Sequence, residues 1–560
     1  MSFLKINNLS VDYEMRRETV YAAKNINIDV NRGEILGLVG ESGSGKSTVG
    51  NAIINLIDEP GKVSNGSIVL DGINIHEDPE NIVKYRGKKI GLIFQDPQTS
   101  LNPILTIGEQ LIETIQTHLN LNNNDAKSKA TNLLKEVGIK DAETRFNNYP
   151  HQFSGGMRQR VVISLALCCE PELLIADEPT TALDVSIQSQ ILDLIKRLTK
   201  ERNLAVILIT HDMGVIAETT DRVAVMKNGD LVEIGPTKEV LTKPKEIYTR
   251  SLVSSVPPTN KKISRFKIIE KENKSQSDTN IKILNRWEKK EIRDQDLVQV
   301  KNLSKTFEDS FFTESSKNSV MAVNDVSFNI KEGQSFGLVG ESGSGKSTIA
   351  KMIVNLFRPS SGDIYFNDVC ITKIKSNKEM MKFRKQIQMI FQDPYSSLNG
   401  RLKVKDIVSE PIKLHNPSIS SKDLNDYIYD LLESVELTHQ SAERYPHEFS
   451  GGQRQRISIA RALATQPRLL VCDEPTSALD VSIQAQILNL LKDLQEQLNL
   501  TILFISHDLP VVRQMCDRIA VLKNGKLCEI SITEELFKNP GHEYTKELLE
   551  LMPKIESIYN

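Results

Sequence analysis

A glycine-rich loop with the spacing of a phosphate-binding site occurs twice in the chain. The segment GLVGESGSGKST spans residues 37–48 and recurs unchanged at 337–348. Each copy follows an apolar run typical of a buried strand and precedes a segment with helical spacing, the context that a phosphate-binding loop requires. Its glycines let backbone N–H groups point at phosphate oxygens, and the following helix adds its positive dipole end. The residues predicted to hold nucleotide phosphates are Gly40, Ser42, Gly43, Gly45, Lys46, Ser47 and Thr48, with Gly340, Ser342, Gly343, Gly345, Lys346, Ser347 and Thr348 in the second copy.

Two acidic residues end a short apolar strand in each copy. Residues 173–179 read LLIADEP and residues 469–475 read LLVCDEP. Because α/β sheets bind ligands at the carboxyl ends of their strands, these acids should lie beside the phosphate loop. We expect the first acid to complete a Mg²⁺ shell with the loop serine, Ser47 or Ser347, and the second to orient or deprotonate an attacking water. These acids are Asp177 and Glu178 in the first copy and Asp473 and Glu474 in the second.

A glutamine and a histidine accompany each loop. The glutamine lies in IFQDP, where its side-chain oxygen could reach Mg²⁺ or the water from a loop. The histidine ends an apolar strand, in LITHD and in LFISHD, and its position after the acids favours contact with the terminal phosphate. We therefore predict that Gln95 and Gln392 are metal ligands and that His211 and His507 are catalytic residues.

An octapeptide, FSGGMRQR at 153–160 and FSGGQRQR at 449–456, predicts a second anion site. Its Ser-Gly-Gly precedes an apolar helical run and so places a serine and free amides at a helix N-terminus. Ser154 lies 108 residues after Lys46, so the simplest use of this helix is to close onto nucleotide held by another domain. The residues assigned to this role are Ser154, Gly155 and Gly156 with Ser450, Gly451, Gly452 and Gln453.

These motifs recur because a whole domain is duplicated. The two copies are 300 residues apart at the loop lysine and 296 apart at the histidine, so the halves differ in length by only a few residues between the motifs. Asn-Gly at 228–229 and 524–525 joins alternating runs and predicts type I′ hairpins. We predict an α/β fold with two tandem domains of the P-loop NTPase kind, each with a mainly parallel sheet, a β-rich margin and an α-helical subdomain. The domains are 1–258 and 298–560, and 259–297 is a linker.

The linker has a distinct composition. From Asn260 to Leu297, 18 of 38 residues are charged, 11 of them basic, which predicts a solvated tether. Trp287, the lone tryptophan, is expected to pin it onto a domain. A flexible linker of about 40 residues spans about 35 Å on average, so pairing of the two halves within one chain is geometrically open. Pairing between two chains is open as well.

Composition excludes several functions. The formal net charge of −3 argues against a nucleic-acid-binding protein. The six cysteines form no CxxC pair, and reduced buried thiols are favoured over a metal site. The N-terminus shows no signal-peptide pattern, and no apolar run approaches the roughly 20 residues that span a bilayer. Any membrane crossing must therefore come from other chains.

In this order and spacing, the motifs resemble those of the ATP-binding subunits of ABC transporters, over nearly the whole chain. The resemblance implies ATP and Mg²⁺ as cofactors and head-to-tail halves that sandwich two ATP molecules. One site would combine Lys46, Asp177, Glu178 and His211 with Ser450, Gly451 and Gly452, and the other Lys346, Asp473, Glu474 and His507 with Ser154, Gly155 and Gly156. It also implies that Tyr13 and Phe307 stack on adenine. Both sites keep their acid and histidine, so we expect both to hydrolyse ATP.

Finer details resemble the oligopeptide/dipeptide importers within this family. Their D-type ATPase commonly reads SGGMRQR and their F-type ATPase SGGQ, so the chain looks like a D–F fusion. The tails at 248–257 and 543–553 resemble the C-terminal extension of these importers, but without its cysteine-rich segment, so we predict no iron–sulfur cluster. The resemblance implies two membrane permease subunits, an extracytoplasmic solute-binding protein and a peripheral position at the cytoplasmic face of the membrane.

Other functions remain open from the sequence. Translation-associated ABC proteins also carry two ATPase halves, but usually with a longer, basic helical arm between them. A DNA-repair ABC ATPase would need inserted zinc-binding cysteines or long coiled coils. An importer of nickel or of another small solute would differ only in cargo, which ATPase subunits do not contact.

Overall fold

The computed structural model describes residues 2–15, 18–77, 79–96, 99–180, 183–267, 281–288, 292–308, 319–477 and 479–552. These residues form two compact units, Met1–Val256 and Pro257–Met552. The described helices and strands follow nearly the same order in both units, as the duplicated sequence predicts.

The first unit contains two sheets. Its strands are β1 (Leu4–Glu14), β2 (Thr19–Val30), β3 (Ile35–Val39), β4 (Gly61–Leu70), β5 (Ile73–Asn74), β6 (Ile90–Ile93), β7 (Leu173–Asp177), β8 (Ala205–Thr210), β9 (Arg222–Lys227) and β10 (Asp230–Pro236). One sheet is antiparallel, in the order β2-β1-β4-β5, and the other has the order β10-β9-β3-β8-β7-β6. In the second sheet every pair is parallel except β9 with β10.

Helices of the first unit cover this sheet and form a separate helical cluster. They are α1 (Lys46–Ile53), α2 (Pro79–Tyr85), α3 (Ile107–Leu119), α4 (Asn123–Glu136), α5 (Ala142–Arg145), α6 (Gly155–Leu167), α7 (Val185–Glu201), α8 (Met213–Thr219), α9 (Thr237–Thr242) and α10 (Ile247–Ser254). A 3₁₀ turn occupies Pro150–Gln152.

The second unit repeats the two sheets. Its strands are β11 (Asp296–Glu308), β12 (Ser319–Lys331), β13 (Ser335–Val339), β14 (Ser361–Phe366), β15 (Val369–Cys370), β16 (Ile387–Ile390), β17 (Leu469–Asp473), β18 (Thr501–Ile505), β19 (Arg518–Lys523) and β20 (Lys526–Ile532). The sheet orders are β12-β11-β14-β15 and β16-β17-β18-β13-β19-β20.

Its helices also correspond to those of the first unit. They are α11 (Lys346–Ile353), α12 (Asn377–Gln386), α13 (Pro394–Ser397), α14 (Val404–His415), α15 (Ser421–Ser434), α16 (Gly451–Leu463), α17 (Val481–Leu498), α18 (Leu509–Met515), α19 (Thr533–Lys538) and α20 (Glu543–Glu550). Further 3₁₀ turns lie at Lys282–Asn285, Ile371–Lys373, His439–Glu443 and Pro446–Glu448.

Burial explains the strand pattern. Every residue of β3 and of β8 is buried, because parallel strands inside an α/β sheet are covered on both faces. The margin differs: β9 and β10 are antiparallel, and Asn228 and Gly229 between them have φ of 50° and 86°. Positive φ at both positions is the signature of the predicted type I′ turn. The predicted fold class is confirmed.

The helical subdomain of the first unit shares a core with the parallel sheet, since Ile93 of β6 and Leu174 of β7 belong to the same buried cluster. Helices α3, α4 and α6 contribute buried residues to one cluster, among them Ile115, Leu134 and Ile163. The apolar run VVISLALCC, predicted as a buried helix, forms most of α6 and ends at the buried Cys168 and Cys169. This subdomain lies in the sequence between β6 and β7, and its helices α3 to α5 come between the phosphate loop and the octapeptide, which begins α6.

The described part of the predicted linker packs against the second unit. Phe266, Ile283 and Trp287 have exposed fractions of 3%, 0% and 9% and belong to the hydrophobic core of that unit. Trp287 therefore anchors the segment, as predicted. The expectation of a solvated linker is wrong for Phe266 and Ile283, because their apolar side chains are buried in this core although many residues around them are charged. Residues 268–280 and 289–291 of the linker lie outside the described residues.

Residues 257–267, which we call the strap, are held through their backbone by side chains of α17 and α18. The Asn489 side chain on α17 exchanges two hydrogen bonds with the backbone of Phe266, at 2.9 and 3.0 Å. Lys492 Nζ donates to the carbonyls of Ile263 and Ser264, at 3.1 and 3.0 Å. Gln514 on α18 accepts from the Ile263 N–H at 2.7 Å. The strap thus joins α17 to α18.

Among the described residues, no helix combines the length and the apolar character needed to cross a bilayer.

Candidate functional site

The phosphate loop of the first unit joins the end of β3 to the start of α1. Lys46 Nζ donates to the carbonyl oxygens of Gly40 and Glu41, both at 2.8 Å. Gly45 has φ of 98°, and a Cβ there would lie 2.0 Å from the carbonyl oxygen of Ala22 on β2. Only glycine therefore fits at this position. Gly43, at φ 76°, has no atom within 4 Å of an added Cβ, so its backbone faces open space.

The second loop repeats this geometry between β13 and α11. Lys346 Nζ donates to the carbonyls of Gly340 and Glu341, at 2.7 and 2.8 Å. A Cβ on Gly345 would lie 2.4 Å from the Ala322 carbonyl oxygen. In both units the remaining predicted phosphate-binding residues lie in the loop or in the first turn of the helix. They are Ser42, Ser47 and Thr48, and Ser342, Gly343, Ser347 and Thr348.

The first acid of each pair lies against the loop serine. Ser47 Oγ donates to Asp177 Oδ1 at 3.1 Å, and Ser347 Oγ donates to Asp473 Oδ1 at 2.9 Å. Burial raises the pKa of both carboxyls, against these hydrogen bonds, because a buried carboxylate without a cation is costly. A hydroxyl and a carboxylate oxygen side by side match the ligands that Mg²⁺ takes beside substrate phosphates. The residues present therefore fit Mg²⁺.

The second acid of each pair lies between the predicted glutamine and histidine. Glu178 Oε1 is 3.0 Å from Nδ1 of His211, and its Oε2 accepts from Gln95 Nε2 at 2.9 Å. Both partners come from separate segments of the chain, which the parallel strands β6, β7 and β8 bring to one edge of the sheet. The structure thus brings together three residues that the sequence assigned separately.

The same arrangement occurs in the second unit. Glu474 Oε1 is 3.2 Å from Nδ1 of His507, and Oε2 accepts from Gln392 Nε2 at 2.9 Å. Burial alone raises the pKa of Glu474, but the hydrogen bond and charge of His507 outweigh it, so the pKa is lowered. Burial alone lowers the pKa of His507, and the Glu474 carboxylate reverses this, so the pKa is raised. The glutamate therefore stays ionised beside the imidazole.

Both glutamates have an unusual backbone conformation. Glu178 and Glu474 each have φ of 47°, in the left-handed region that side-chain-bearing residues seldom occupy. The N–H of Glu178 donates to the Ile209 carbonyl on β8 at 2.8 Å, and the N–H of Glu474 donates to Ile505 on β18 at 3.0 Å. These bonds hold the turn after the strand in place. Strain of this kind concentrates at functional sites.

The Ser-Gly-Gly residues begin α6 and α16. Ser154 Oγ accepts from the Met157 N–H at 3.4 Å and caps α6. A Cβ on Gly156 would lie 2.6 Å from Ile187 on α7, whereas Gly155 has no atom within 4 Å. The second glycine therefore permits packing, and the first leaves the helix N-terminus open to an anion. In the second unit Gly452 packs in the same way against Ile483, 2.4 Å from its added Cβ.

The glutamine of the second octapeptide caps its own helix. Gln453 Oε1 accepts from the Ser450 N–H at 3.1 Å while Ser450 Oγ accepts from the Gln453 N–H at 3.4 Å. This reciprocal pair is a capping box. Met157 has no side-chain acceptor of this kind and cannot close the box. The difference between the two octapeptides is thus first a difference in helix capping, and the pattern S-x-x-Q was its signal in the sequence.

The two aromatic residues assigned to adenine differ in exposure. Phe307 on β11 is 39% exposed, with its ring edge-on to Phe357 at 5.6 Å between centroids. Tyr13 on β1 is partly buried and packs against the sheet core, where it would lie 2.6 Å from a Cβ on Gly61. Phe307 thus presents an accessible ring, and Tyr13 presents part of one.

A tyrosine near each phosphate loop was missed by the sequence analysis. The N–H of Glu41 donates to Tyr248 Oη at 3.3 Å, and the N–H of Glu341 donates to Tyr544 Oη at 3.3 Å. These tyrosines lie on α10 and α20, in the tails noted above. The Tyr-Thr pair that recurs in both tails was the sequence signal for these tyrosines, but no sequence pattern predicted that they lie beside the phosphate loops.

Two family models match the chain. The model described as "ABC transporter" matches residues 23–181 and 323–477, together more than half of the chain. The model described as "Oligopeptide/dipeptide transporter, C-terminal region" matches residues 232–282 and 528–559. Both models match once in each half.

Relatives match over the full length. The glutathione import ATP-binding protein GsiA of Escherichia coli (strain K12) is 42% identical over 570 residues, which cover 99% of this chain and 90% of GsiA. GsiA of Shigella dysenteriae serotype 1 is 42% identical over 566 residues, with the same coverage. Among solved structures, the dimeric bacterial ABC transporter cassette MJ0796 is 33% identical and aligns with 42% of this chain and 98% of its own, at a TM-score of 0.39.

Proposed function

Since the chain belongs to the ABC transporter family as one of its ATP-hydrolysing subunits, we propose that it drives the import of peptides or of a related small solute such as glutathione. The two matches to the oligopeptide/dipeptide C-terminal region support the peptide class. The full-length similarity to a glutathione import ATP-binding protein supports glutathione within that class. Separate permease subunits would form the path across the membrane.

One observation carries the ATP-hydrolysing part of this proposal: each unit places a glutamate between a glutamine and a histidine, behind a complete phosphate loop. Glu474 is within hydrogen-bond distance of both partners, and Glu178 repeats the arrangement. A carboxylate held in this way can accept a proton from water while the histidine keeps its orientation. Two intact sets predict two hydrolytic sites.

The chain's own residues define the steps. The loop amides and Lys46 bind the nucleotide phosphates, and hydrogen bonds to the carbonyls of Gly40 and Glu41 hold Lys46 Nζ within the loop. Ser47 and Asp177 would hold Mg²⁺ through their oxygen atoms, and the metal would neutralise charge on the phosphates. One oxygen of the Glu178 carboxylate then accepts a proton from the attacking water. His211 holds the carboxylate. Gln95, which donates to the other oxygen of that carboxylate, would reach Mg²⁺ or the water with its side-chain oxygen. Lys346, Ser347, Asp473, Glu474, His507 and Gln392 repeat these roles.

We further infer that the two halves pair head to tail. Gly155 and Gly451 begin helices whose N-termini can accept an anion. An added Cβ would contact no atom within 4 Å at Gly155, and at Gly451 it would contact Leu479 at 3.4 Å. Each such helix would cover nucleotide bound at the other loop, within one chain or between two. Light scattering of the Glu178→Gln, Glu474→Gln double variant with and without ATP separates these cases. A mass of one chain with ATP indicates closure within the chain, and a mass of two indicates a dimer.

Transport tests the function directly. The chain is reconstituted in proteoliposomes with two permease subunits and a solute-binding protein that copurify with it or are encoded in the same genome, and uptake of labelled glutathione, dipeptide, oligopeptide and nickel is compared. ATP-dependent uptake of glutathione or a peptide supports the proposal. Uptake of nickel alone would show that the transported solute is a metal ion and not a peptide or glutathione. A chain that copurifies with ribosomes and with no permease would overturn the importer function, and nothing in the similarities supports that alternative.

A further inference from the structure

We propose that Tyr248 and Tyr544 are positioning residues for the two phosphate loops, and that this is a function of the C-terminal region that follows each ATPase core. The proposal rests on the ATPase function above and goes beyond it. It assigns a role to two tails that extend beyond the core elements of each ATPase unit.

The contact is specific in its location. Tyr248 Oη accepts the N–H of Glu41, the first residue after Gly40 in the phosphate loop. The carbonyl of the same Glu41 accepts from Lys46 Nζ at 2.8 Å. One residue of the loop is thus bound by the tyrosine through its N–H and by the catalytic lysine through its carbonyl. Orienting this residue orients the lysine.

The second unit supplies the same observation independently. Glu341 donates its N–H to Tyr544 Oη at 3.3 Å and accepts from Lys346 Nζ at 2.8 Å. The tyrosines lie 296 residues apart, the same offset as the catalytic histidines. Because the sequences around them differ, with IYTRSL in one tail and EYTKEL in the other, the shared contact is not a consequence of identical surroundings.

Packing holds each tyrosine in place. Tyr248 and Tyr544 are 8% and 4% exposed. Tyr248 belongs to a buried cluster with Val39, the last residue of β3 before the loop. A lysine ammonium covers each ring, that of Lys227 at 4.4 Å and that of Lys523 at 4.0 Å from the ring centroid. Such cation–π contacts add to the fixed orientation of the ring.

A carboxylate on the edge strand fixes the start of each tyrosine helix. Glu529 on β20 accepts the N–H groups of Gly541 and His542, at 2.9 and 3.0 Å, just before α20. Glu233 on β10 accepts the N–H groups of Lys245 and Glu246, at 3.0 and 3.3 Å, just before α10. Each anion lies at the positive end of the helix dipole. The helix, and with it the tyrosine, is therefore tied to the sheet that carries the loop.

The decisive variants are Tyr544→Phe and Tyr248→Phe, which remove only the hydroxyl. Tyr427→Phe is the matched control: Tyr427 is 8% exposed and its hydroxyl donates to the Ala464 carbonyl at 3.2 Å, in the helical subdomain of the second unit. All three are made in the full chain with Glu178→Gln and Glu474→Gln, so that MgATP binding is measured without turnover.

Loss of one loop hydrogen bond should weaken one of the two MgATP sites by about 3- to 10-fold in either tyrosine variant. The control should bind as its parent does, while all variants melt within a few degrees of one another without nucleotide. In the hydrolysing chain, Tyr544→Phe should raise KM by a larger factor than it lowers kcat. Wild-type affinity in both tyrosine variants, or an equal loss in the control, overturns the positioning role. A parent chain that binds no MgATP would instead refute the proposed ATPase function.

Discussion

Oε1 of Glu474 lies 3.2 Å from Nδ1 of His507, and Oε2 of the same carboxylate accepts a hydrogen bond of 2.9 Å from Gln392. The glutamate is therefore held at both oxygens, while its backbone turns through the left-handed region at φ 47°. A water approaching this carboxylate meets a base whose direction is already fixed. Glu178 shows the same contacts at 3.0 and 2.9 Å.

Replacement of either glutamate by glutamine should disable its own site. Glu178→Gln and Glu474→Gln keep the size of the side chain and remove the base, which is expected to reduce turnover at that site by about 10²-fold or more. MgATP binding should persist in both, as measured by equilibrium titration. Near-normal ATPase activity in either variant would show that the chain does not have two working sites that depend on these glutamates.

The Glu474–His507 pair should give the free energy of unfolding a defined pH window. The pKa of Glu474 is lowered from 4.5, so its contribution is present above pH 4.5 and is lost as pH falls further. The pKa of His507 is raised from 6.5, so its contribution is present below pH 6.5 and is lost as pH rises further. Urea unfolding without nucleotide should show that His507→Gln flattens the alkaline decline. An unchanged decline would show that the pair adds no pH-dependent stability.

Exchange of Met157 and Gln453 between the two octapeptides should remove the capping box from α16 and create one in α6. Gln453→Met removes the acceptor for the Ser450 N–H and should lower the free energy of unfolding of the second unit by about 0.5–1.5 kcal/mol. Met157→Gln should raise that of the first unit by a similar amount. Denaturant titration followed by circular dichroism measures both. Equal stability in all chains would mean that the box contributes nothing in solution.

Truncation of Phe266 tests the strap. Its side chain is 3% exposed within the second core, so Phe266→Ala should cost about 3–5 kcal/mol of unfolding free energy in that unit. Lys267→Ala, at an exposed neighbouring position, is the control and should change it by less than about 0.5 kcal/mol. Equal, small effects of both substitutions would show that the strap is solvated in solution, as its composition predicts.

Much of the site could be read from the sequence because its signals are local. The loop glycines, the strand-end acids and the Asn-Gly hairpins each depend on a few consecutive residues, and a parallel sheet then gathers strand ends at one edge. That Glu178 would contact both Gln95 and His211 follows from this topology. Its left-handed φ does not, because the Pro179 that follows it marks a turn but does not call for a positive φ at the residue before.

Other features depend on partners distant in the chain. Tyr248 is 207 residues from Glu41, and no sequence pattern around either residue predicts that the two are in contact. In the strap, Phe266 lies between Arg265 and Lys267, and the few apolar residues around it follow no period that would predict its burial. Gln453 is different: its capping box follows the local S-x-x-Q spacing, although the sequence analysis assigned this residue to the anion site instead. Long-range packing, rather than weak local propensity, separates what was predicted from what was not.

Trp287 gives the protein a built-in optical probe. It is the one tryptophan among 560 residues, and it is buried where the segment between the two ATPase halves meets the second unit. When the protein is excited at a wavelength that its 12 tyrosines do not absorb, emission comes from this single ring, and its wavelength reports the polarity of that contact. If this segment lifts from the second unit during the ATP cycle, the unlabelled protein will signal it as a red shift, on the timescale of turnover.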